Sequence, residues 1–480
     1  MPSRLQKLLI LSSDLLAQVV AYALGSWALA IYGQYSSFEA LEVWWVTTGS
    51  MHTLVQALFA SLVLIRFYMK GLHSKRLPFW DELRQILLTV IYLAALNGIV
   101  VLIAKWPFSR VLWLTSWSLC LLLIPWFRSL TRRLLVRLGL WARPTVIIGA
   151  GDTAWSTMTA LKSEPGLGFE VLKFLVLENS IDAGLKSSGY KIEQVQKEEL
   201  VSSLLKLKDE NPNLQVIIAL EQSDSQSASM LLERLSLFFN DVYLVPSLVG
   251  LPLFGMDAQH FFSHEVLLLR SKNNLGFRPQ YVMKRTFDLV AAGLGLIAIS
   301  PLLLWIALSI RKSGRGILFR QPRVGHKGQT FYCFKFRTMV PDAEKVLNDL
   351  LERDPVAKKE WLEKTKITND PRVTPIGHFL RKTSLDELPQ LINVLTGDMS
   401  LVGPRPILLH EVEKYGPRLS FYKNVKPGIT GLWQVSGRSD TEYSNRVHLD
   451  TWYVKNWSLW YDIAILFKTV RVVFKREGAY

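Results

Sequence analysis

Cysteine is nearly missing from this chain: 480 residues contain only Cys120 and Cys333. That excludes a disulfide framework and a cysteine-based metal site. No cleavable leader pattern is present either, because the first apolar run is too long and lacks a small-residue cleavage site. Residues 33–44, which follow that run, hold no Lys or Arg. Residues 266–480 show no zinc, helix-turn-helix or RNP pattern, so nucleic acid is not an expected partner despite their positive charge.

What the chain has in quantity is apolar surface and unevenly placed charge. Hydrophobic residues make up 49% of it, with 16 Trp and a net charge of +16. Counted by region, residues 1–143 carry a net +9, residues 144–265 a net −8 and residues 266–480 a net +15. A basic C-terminal region suits anionic lipid headgroups or phosphorylated substrates. Four stretches, Leu8–Tyr32, Trp45–Ile65, Ile86–Ala104 and Val111–Phe127, each approach the ~20 residues needed to cross a bilayer. Arg4 and Lys7 precede the first. Arg66, Lys70, Lys75, Arg76 and Arg84 separate the second and third, and Arg128, Arg132, Arg133 and Arg137 follow the fourth. The positive-inside rule therefore predicts a multi-pass membrane protein with the N-terminus and everything after residue 128 in the cytoplasm; the resemblance drawn below implies that the membrane is the bacterial inner membrane.

Residues 144–265 alternate strand-like and helix-like stretches. Apolar runs at Thr145–Ile148, Val171–Leu177, Val216–Leu220 and Val242–Val245 predict a small parallel, Rossmann-like α/β domain. The first run leads into Gly149-Ala150-Gly151 with Ala154 three residues on, a turn able to place a pyrophosphate at a helix N-terminus. Glu178 sits near the position of a ribose-binding acid. A glycine turn is needed for strand–helix packing too, so a regulatory or structural module is the favoured reading.

From Phe287 to Ile310 the chain is again long and apolar, but Lys284 and Arg285 stand before it and Arg311, Lys312 and Arg315 after it. Both ends thus carry the cytoplasmic signature. Ser300-Pro301 lies near the middle, where proline removes a backbone donor and bends or breaks a helix. A helix, a break and a returning helix satisfy both charge clusters. Asp288 would lie at the interface and could pair with Lys284 one turn earlier.

The stretch RKTSLDELPQ, Arg381 to Gln390, sets Asp386 and Glu387 side by side behind Arg381 and Lys382. Neighbouring cations favour ionised carboxylates, and an ionised carboxylate can ligate a hard divalent cation or attack an electrophile. The arginines suit phosphate. The competing reading is a capping box, with Ser384 at a helix start and Glu387 three residues on.

Taken with the KRTFD start at Lys284, the Ser300-Pro301 break, the Asp398–Pro406 run and the Lys426–Gln434 run, this stretch resembles the bacterial sugar transferases, monotopic polyprenyl-phosphate hexose-1-phosphate transferases. The resemblance covers residues 281–480, and the N-terminal spans and α/β insert are similar to the longer members. It implies three domains: a four-helix transmembrane bundle at 1–143, the Rossmann-like domain at 144–265, and a mainly α catalytic domain at 266–480 with a re-entrant helix at about 285–310. It also implies transfer of hexose-1-phosphate from UDP-hexose to undecaprenyl phosphate with release of UMP. Whole-chain similarity favours galactose over glucose as the hexose. Asp386 would be the nucleophile and Mg²⁺ the metal, held by Asp386 and Glu387, with Arg381 and Arg405 on phosphate.

Further expectations rest on the same region. Lys284 and Asp288 would serve anchoring or substrate contact. Arg438, with Trp433, could shape a nucleotide pocket, although a structural turn fits that stretch as well. The Trp457–Phe474 run reads as an interfacial amphipathic helix, or as one packed on the catalytic core. A homodimer is expected from the family. The alternative, a membrane-bound nucleotide-sugar dehydratase or epimerase, needs a Tyr-x-x-x-Lys pair, and that spacing occurs only at Tyr422 and Lys426, far outside the α/β insert.

Overall fold

The computed structural model describes residues 4–32, 46, 49–105, 109–177, 189–196, 198–221, 224–239, 241–246, 257–260, 267–270, 278–364, 367, 370–436 and 443–475. It forms two compact units, Met1–Leu248 and Val249–Tyr480.

In the first unit four helices, Arg4–Tyr32, Ser50–Met69, Phe79–Ile103 and Arg110–Arg137, are long and apolar enough to cross a membrane. They pack through Ala17, Val63, Phe67, Val90, Trp117 and Ile124, while Leu8, Leu58, Leu102 and Leu122 remain exposed on their outer faces. The outer faces are apolar because lipid tails, unlike water, exert no pressure to bury leucine. The fourth helix runs ten residues past the expected Phe127, and Pro125 lies inside it without ending it.

That extension carries Arg128 into the packed interior. Its guanidinium donates to both oxygens of Asp14 at 2.6 Å and to Glu82 Oε1 at 2.7 Å, and His73 Nε2 lies 2.9 Å from Asp14 Oδ2. Charges so deeply buried persist only when paired. Two of the basic residues that read as topological signals are therefore internal partners, since Arg132 also pairs with Glu82 at 2.5 Å. Arg76 is committed as well: it donates to the carbonyls of Leu167, Gly168 and Trp141.

The same unit holds a five-stranded parallel sheet: β1 (Arg143–Ile148), β2 (Phe169–Val176), β3 (Lys191–Gln194), β4 (Gln215–Ile218) and β5 (Val242–Leu244), in the order β3-β2-β1-β4-β5. Central strands covered on both faces read as continuous apolar runs. Hence β1, β2 and β4 are legible in sequence; of the two edge strands, β5 still reads as the apolar run Val242–Val245, whereas β3, with Lys191 and Glu193 exposed, does not. The sheet order reverses beside β1, where the glycine turn lies.

The second unit contains two antiparallel hairpins, β6–β7 (Asp257–His260 and Leu267–Arg270) and β8–β9 (Leu318–Val324 and Thr330–Phe336), and the short parallel pair β10–β11 (Ser400–Val402 and Gly428–Thr430). Around these lie short helices and one long one, Arg278–Arg311, whose helical pattern continues through Ser300 and Pro301. Its first part packs Ala292 with Met399, Val402, Tyr453 and Trp457. Its last part packs Ile306 and Ile310 with Phe336 and Leu380. Between them, residues 293–305 include no buried position. The Leu459–Lys475 helix buries Asp462, Ala464 and Ile465 and exposes Phe467 and Val470, so its apolar residues divide between the core and the outer face.

Candidate active site

Thr374 starts the local structure around the carboxylate pair: its hydroxyl accepts from Gly377 N at 3.1 Å and caps a helix over Pro375–Thr383, with proline at the first turn. The helix ends at Ser384, which adopts a left-handed conformation at φ 56°. A capping box at Ser384 is therefore corrected. Ser384 stops one helix and makes no side-chain cap to the 3₁₀ turn Leu385–Glu387 that follows. A non-glycine residue in this region is strained by contact of its Cβ with the backbone. The sharp reversal it creates sets Asp386 and Glu387 on a single turn between two helices.

The second helix, Gln390–Thr396, is tied to β9 by the buried Asn393. Its amide donates to Tyr332 O at 2.8 Å, and its carbonyl accepts from Phe334 N at 2.9 Å. One residue further along β9 stands Lys335, whose Nζ lies 2.7 Å from Glu387 Oε1 and 3.9 Å from Asp386 Oδ2. Sequence reading did not select Lys335. The signal was its parity: Phe331 and Cys333 point into the core from alternate positions of β9, and a lysine continuing that inward row needs a carboxylate partner.

Asp386 and Glu387 line a cavity of about 1250 Å³ together with Lys335, Arg381, Arg405 and Trp433. Arg381 Nε donates to Thr338 Oγ1 at 3.0 Å, and Arg405 Nη2 lies 3.5 Å from Glu387 Oε1. The Arg405 turn is braced from behind. Arg323 donates to Pro406 O at 3.0 Å, and Arg446, whose guanidinium lies 5.0 Å from the Trp433 ring centre, reaches Arg405 O at 3.5 Å. A cavity of this size, lined by Lys335, Arg381 and Arg405 as well as by Ile429 and Leu466, can take an anionic head with an apolar appendage.

Electrostatics split the carboxylate pair. Burial raises the Asp386 carboxyl above its usual range, and Glu387 adds to the rise, against the opposing pull of Lys335 and Arg381. For Glu387 burial acts in the same direction, but Arg405 and Lys335 outweigh it and bring the group down to about 2. Flanking cations thus hold Glu387 ionised, as charge logic predicts, while Asp386 is the less stabilised anion.

Other selected residues lie elsewhere. Lys284 and Asp288 do not line this cavity. Lys284 donates to Asp462 Oδ2 at 2.7 Å and Val402 O at 3.1 Å, and Asp288 accepts from Ser400 Oγ at 2.8 Å and Leu401 N at 3.2 Å. The expected Lys284–Asp288 pair is present at 3.9 Å, but both side chains are buried beneath β10 and fasten the long helix to it. Ser300 Oγ donates to Ile297 O within that helix. Arg438 and Glu178 fall outside the described residues. Tyr422 donates to Val324 O at 2.7 Å and accepts from Ile407 N at 3.2 Å; a hydroxyl so engaged and buried is a brace, which removes the dehydratase pair.

The carboxylates also fit a divalent cation. Magnesium is commonly held by one or two carboxylates completed by substrate phosphates and water. Asp386 and Glu387 supply that pair at a cavity wall, and among the described residues no group of three or more His, Cys, Asp or Glu offers a self-sufficient cage.

Two family models match the chain: the bacterial sugar transferase model over residues 279–476 and the CoA-binding domain model over residues 73–246. The chain is 44% identical over 409 residues to undecaprenyl-phosphate galactose phosphotransferase of Salmonella typhimurium, covering 85% of this chain and 84% of that protein. It is equally similar, with the same coverage, to the UDP-galactose-lipid carrier transferase of Erwinia amylovora. It is 35% identical over 343 residues to UDP-glucose:undecaprenyl-phosphate glucose-1-phosphate transferase of Escherichia coli, covering 69% of this chain and 68% of that one. With its two-carboxylate cavity inside the matched region and relatives 44% identical over 85% of its length, this chain is an enzyme and belongs to the bacterial sugar transferase family.

Proposed function

We propose that the chain transfers hexose-1-phosphate, with galactose as the hexose, from UDP-hexose to undecaprenyl phosphate. The observation that carries this reading is the split carboxylate pair: a buried, poorly stabilised Asp386 beside a Glu387 fixed as an anion by Lys335 and Arg405. An under-solvated carboxylate is the better nucleophile of the two. Asp386 attacks the β-phosphorus of UDP-hexose; the bridging P–O bond breaks and UMP leaves with the bridging oxygen. An oxygen of undecaprenyl phosphate then attacks the same phosphorus. The aspartyl P–O bond breaks, the diphosphate-linked lipid departs, and the Asp386 carboxylate is restored.

Arg381 and Arg405 offset the charge of the phosphoryl group in flight. Lys335 holds Glu387 in place and keeps it charged. Asp386 and Glu387 would hold a magnesium ion, which when bound neutralises diphosphate charge. Galactose is favoured because the relatives of Salmonella typhimurium and Erwinia amylovora named for it are 44% identical, against 36% and 35% for two named for glucose.

The charge clusters at its two ends support a re-entrant course for the long helix: Lys284 and Arg285 stand before its apolar stretch and Arg311, Lys312 and Arg315 after it, with Pro301 inside it, where proline removes a backbone donor and can bend a helix. A dip into one leaflet with a return leaves the cavity at the cytoplasmic face of the inner membrane, where UDP-hexose and the lipid phosphate meet. A homodimer belongs to the same proposal.

Purified protein incubated with radiolabelled UDP-galactose, undecaprenyl phosphate and magnesium should yield labelled lipid and UMP. If neither UDP-galactose nor UDP-glucose gives labelled lipid, the reading is wrong.

A further inference from the structure

The α/β domain carries the sheet order, the glycine turn and the helix N-terminus of a nucleotide-binding fold, and its family model bears the name of a CoA-binding domain over residues 73–246. In such a domain the backbone N–H groups at the start of the helix after β1 receive the diphosphate of the ligand. Here that place is filled. Glu221, two positions beyond the Ala219 that closes the β4 ladder, reaches across the switch point. Its Oε1 accepts from Thr153 N at 2.9 Å, and its Oε2 takes the Thr153 hydroxyl at 3.1 Å. The carboxylate lies against Gly151, where a Cβ would run into it.

We infer that Glu221 is the permanent anion of this site, and that the α/β domain keeps its fold without a diphosphate-bearing ligand at the glycine turn. Three observations besides the hydrogen bonds point the same way. Gly149, at φ 129°, is required because a Cβ there would meet the Ala219 carbonyl, so the first glycine serves strand packing and needs no ligand to explain it. Asp152 occupies the first helical position and adds a second negative charge where a phosphate would approach. The region 144–265 carries a net −8, which repels a polyanion. A carboxylate at a helix N-terminus makes the same interaction with the dipole and the free N–H groups as a bound phosphate, but it is tethered and loses no translational freedom.

Hydrogen–deuterium exchange on the full-length protein in detergent tests this, with CoA as probe at millimolar concentration. Peptides over residues 149–157 should show no added protection with CoA in the wild type. Protection there would overturn the proposal. In Glu221→Ala the same peptides should exchange faster, by about tenfold for one lost hydrogen bond of ~1.4 kcal/mol, and should become protected by CoA. A folded Glu221→Ala protein that remains indifferent to CoA would also overturn it, because something other than Glu221 would then close the site. Should Glu221→Ala not fold, Glu221→Asp keeps the charge but falls short of Thr153 N; unchanged exchange at Thr153 in that variant would refute the seal. None of these readouts depends on transferase activity, so they stand apart from the proposed reaction.

Discussion

Lys335 Nζ lies 2.7 Å from Glu387 Oε1, so one lysine on an inward strand position fixes the charge state of one member of the carboxylate pair. Burial alone would raise Glu387; Lys335 and Arg405 together bring it down to about 2. Replacing Lys335 by Gln should lower kcat/KM by about 100-fold or more, the scale seen when one charge-stabilising group is removed from an active site. It should also move the acid limb of the pH profile upward, since a carboxylate freed of its cation binds protons at higher pH. Steady-state kinetics between about pH 5 and 9 check both effects, and an unshifted acid limb would count against the assignment.

Asp386→Asn should remove turnover by about 10⁴-fold or more, as expected for loss of a nucleophile. Intact-mass analysis after mixing with UDP-galactose should show a phosphosugar adduct on the wild type and none on the variant. A variant with near-normal turnover would show that Asp386 is not the nucleophile.

Ser384 holds a left-handed backbone at φ 56°, which a β-branched side chain adopts only at a cost of about 1–2 kcal/mol. Ser384→Val should lower the melting temperature and depress kcat by misaiming the adjoining carboxylates. Ser384→Gly, free of that strain, should retain activity. Equal behaviour of the two variants in thermal unfolding and kinetics would remove strain as the explanation.

Asp450 is buried, and burial pushes its carboxyl up to about 6, although it accepts from Tyr415 Oη at 2.7 Å and has Arg446 at 3.9 Å. A folded-state value above the unfolded one of ~3.9 means that the folded protein binds the proton more tightly. That contribution to stability is complete below about pH 4 and is lost as pH rises through about 6. Asp450→Asn keeps the acceptor for Tyr415 but cannot ionise. The difference in melting temperature between variant and wild type should therefore shift in favour of the variant between about pH 4 and 7 and be flat above it. A pH-independent difference would refute the linkage.

Arg128 holds Asp14 and Glu82 in the interior of the membrane helices. Arg128→Met leaves two buried carboxylates with fewer partners and should destabilise the first unit by about 3–5 kcal/mol. Thermal unfolding in detergent measures this, and restoration by the triple change Arg128→Met, Asp14→Leu and Glu82→Leu would show that the loss came from unpaired charge.

Much of this protein was written along the chain. Spans of about 20 apolar residues, the strands β1, β2, β4 and β5 as runs of Val, Ile and Leu, and the Asp386–Glu387 motif with Arg381 and Arg405 are local patterns, and local patterns follow from periodicity, hydropathy and spacing. What only the tertiary structure decided depends on pairs far apart in sequence. Lys335 meets Glu387 across 52 residues, Arg128 meets Asp14 across 114, and Lys284 meets Asp462 across 178. Topological bookkeeping counted Arg128 and Arg132 as free positive charge because sequence does not tell an arginine facing solvent from one facing a buried carboxylate. The glycine turn showed the same limit: its spacing suited either an anion at the helix N-terminus or strand–helix packing alone, and only the fold brought Glu221 to Thr153. Charge is a property of the residue. Its partner, and therefore its role, is a property of the packing.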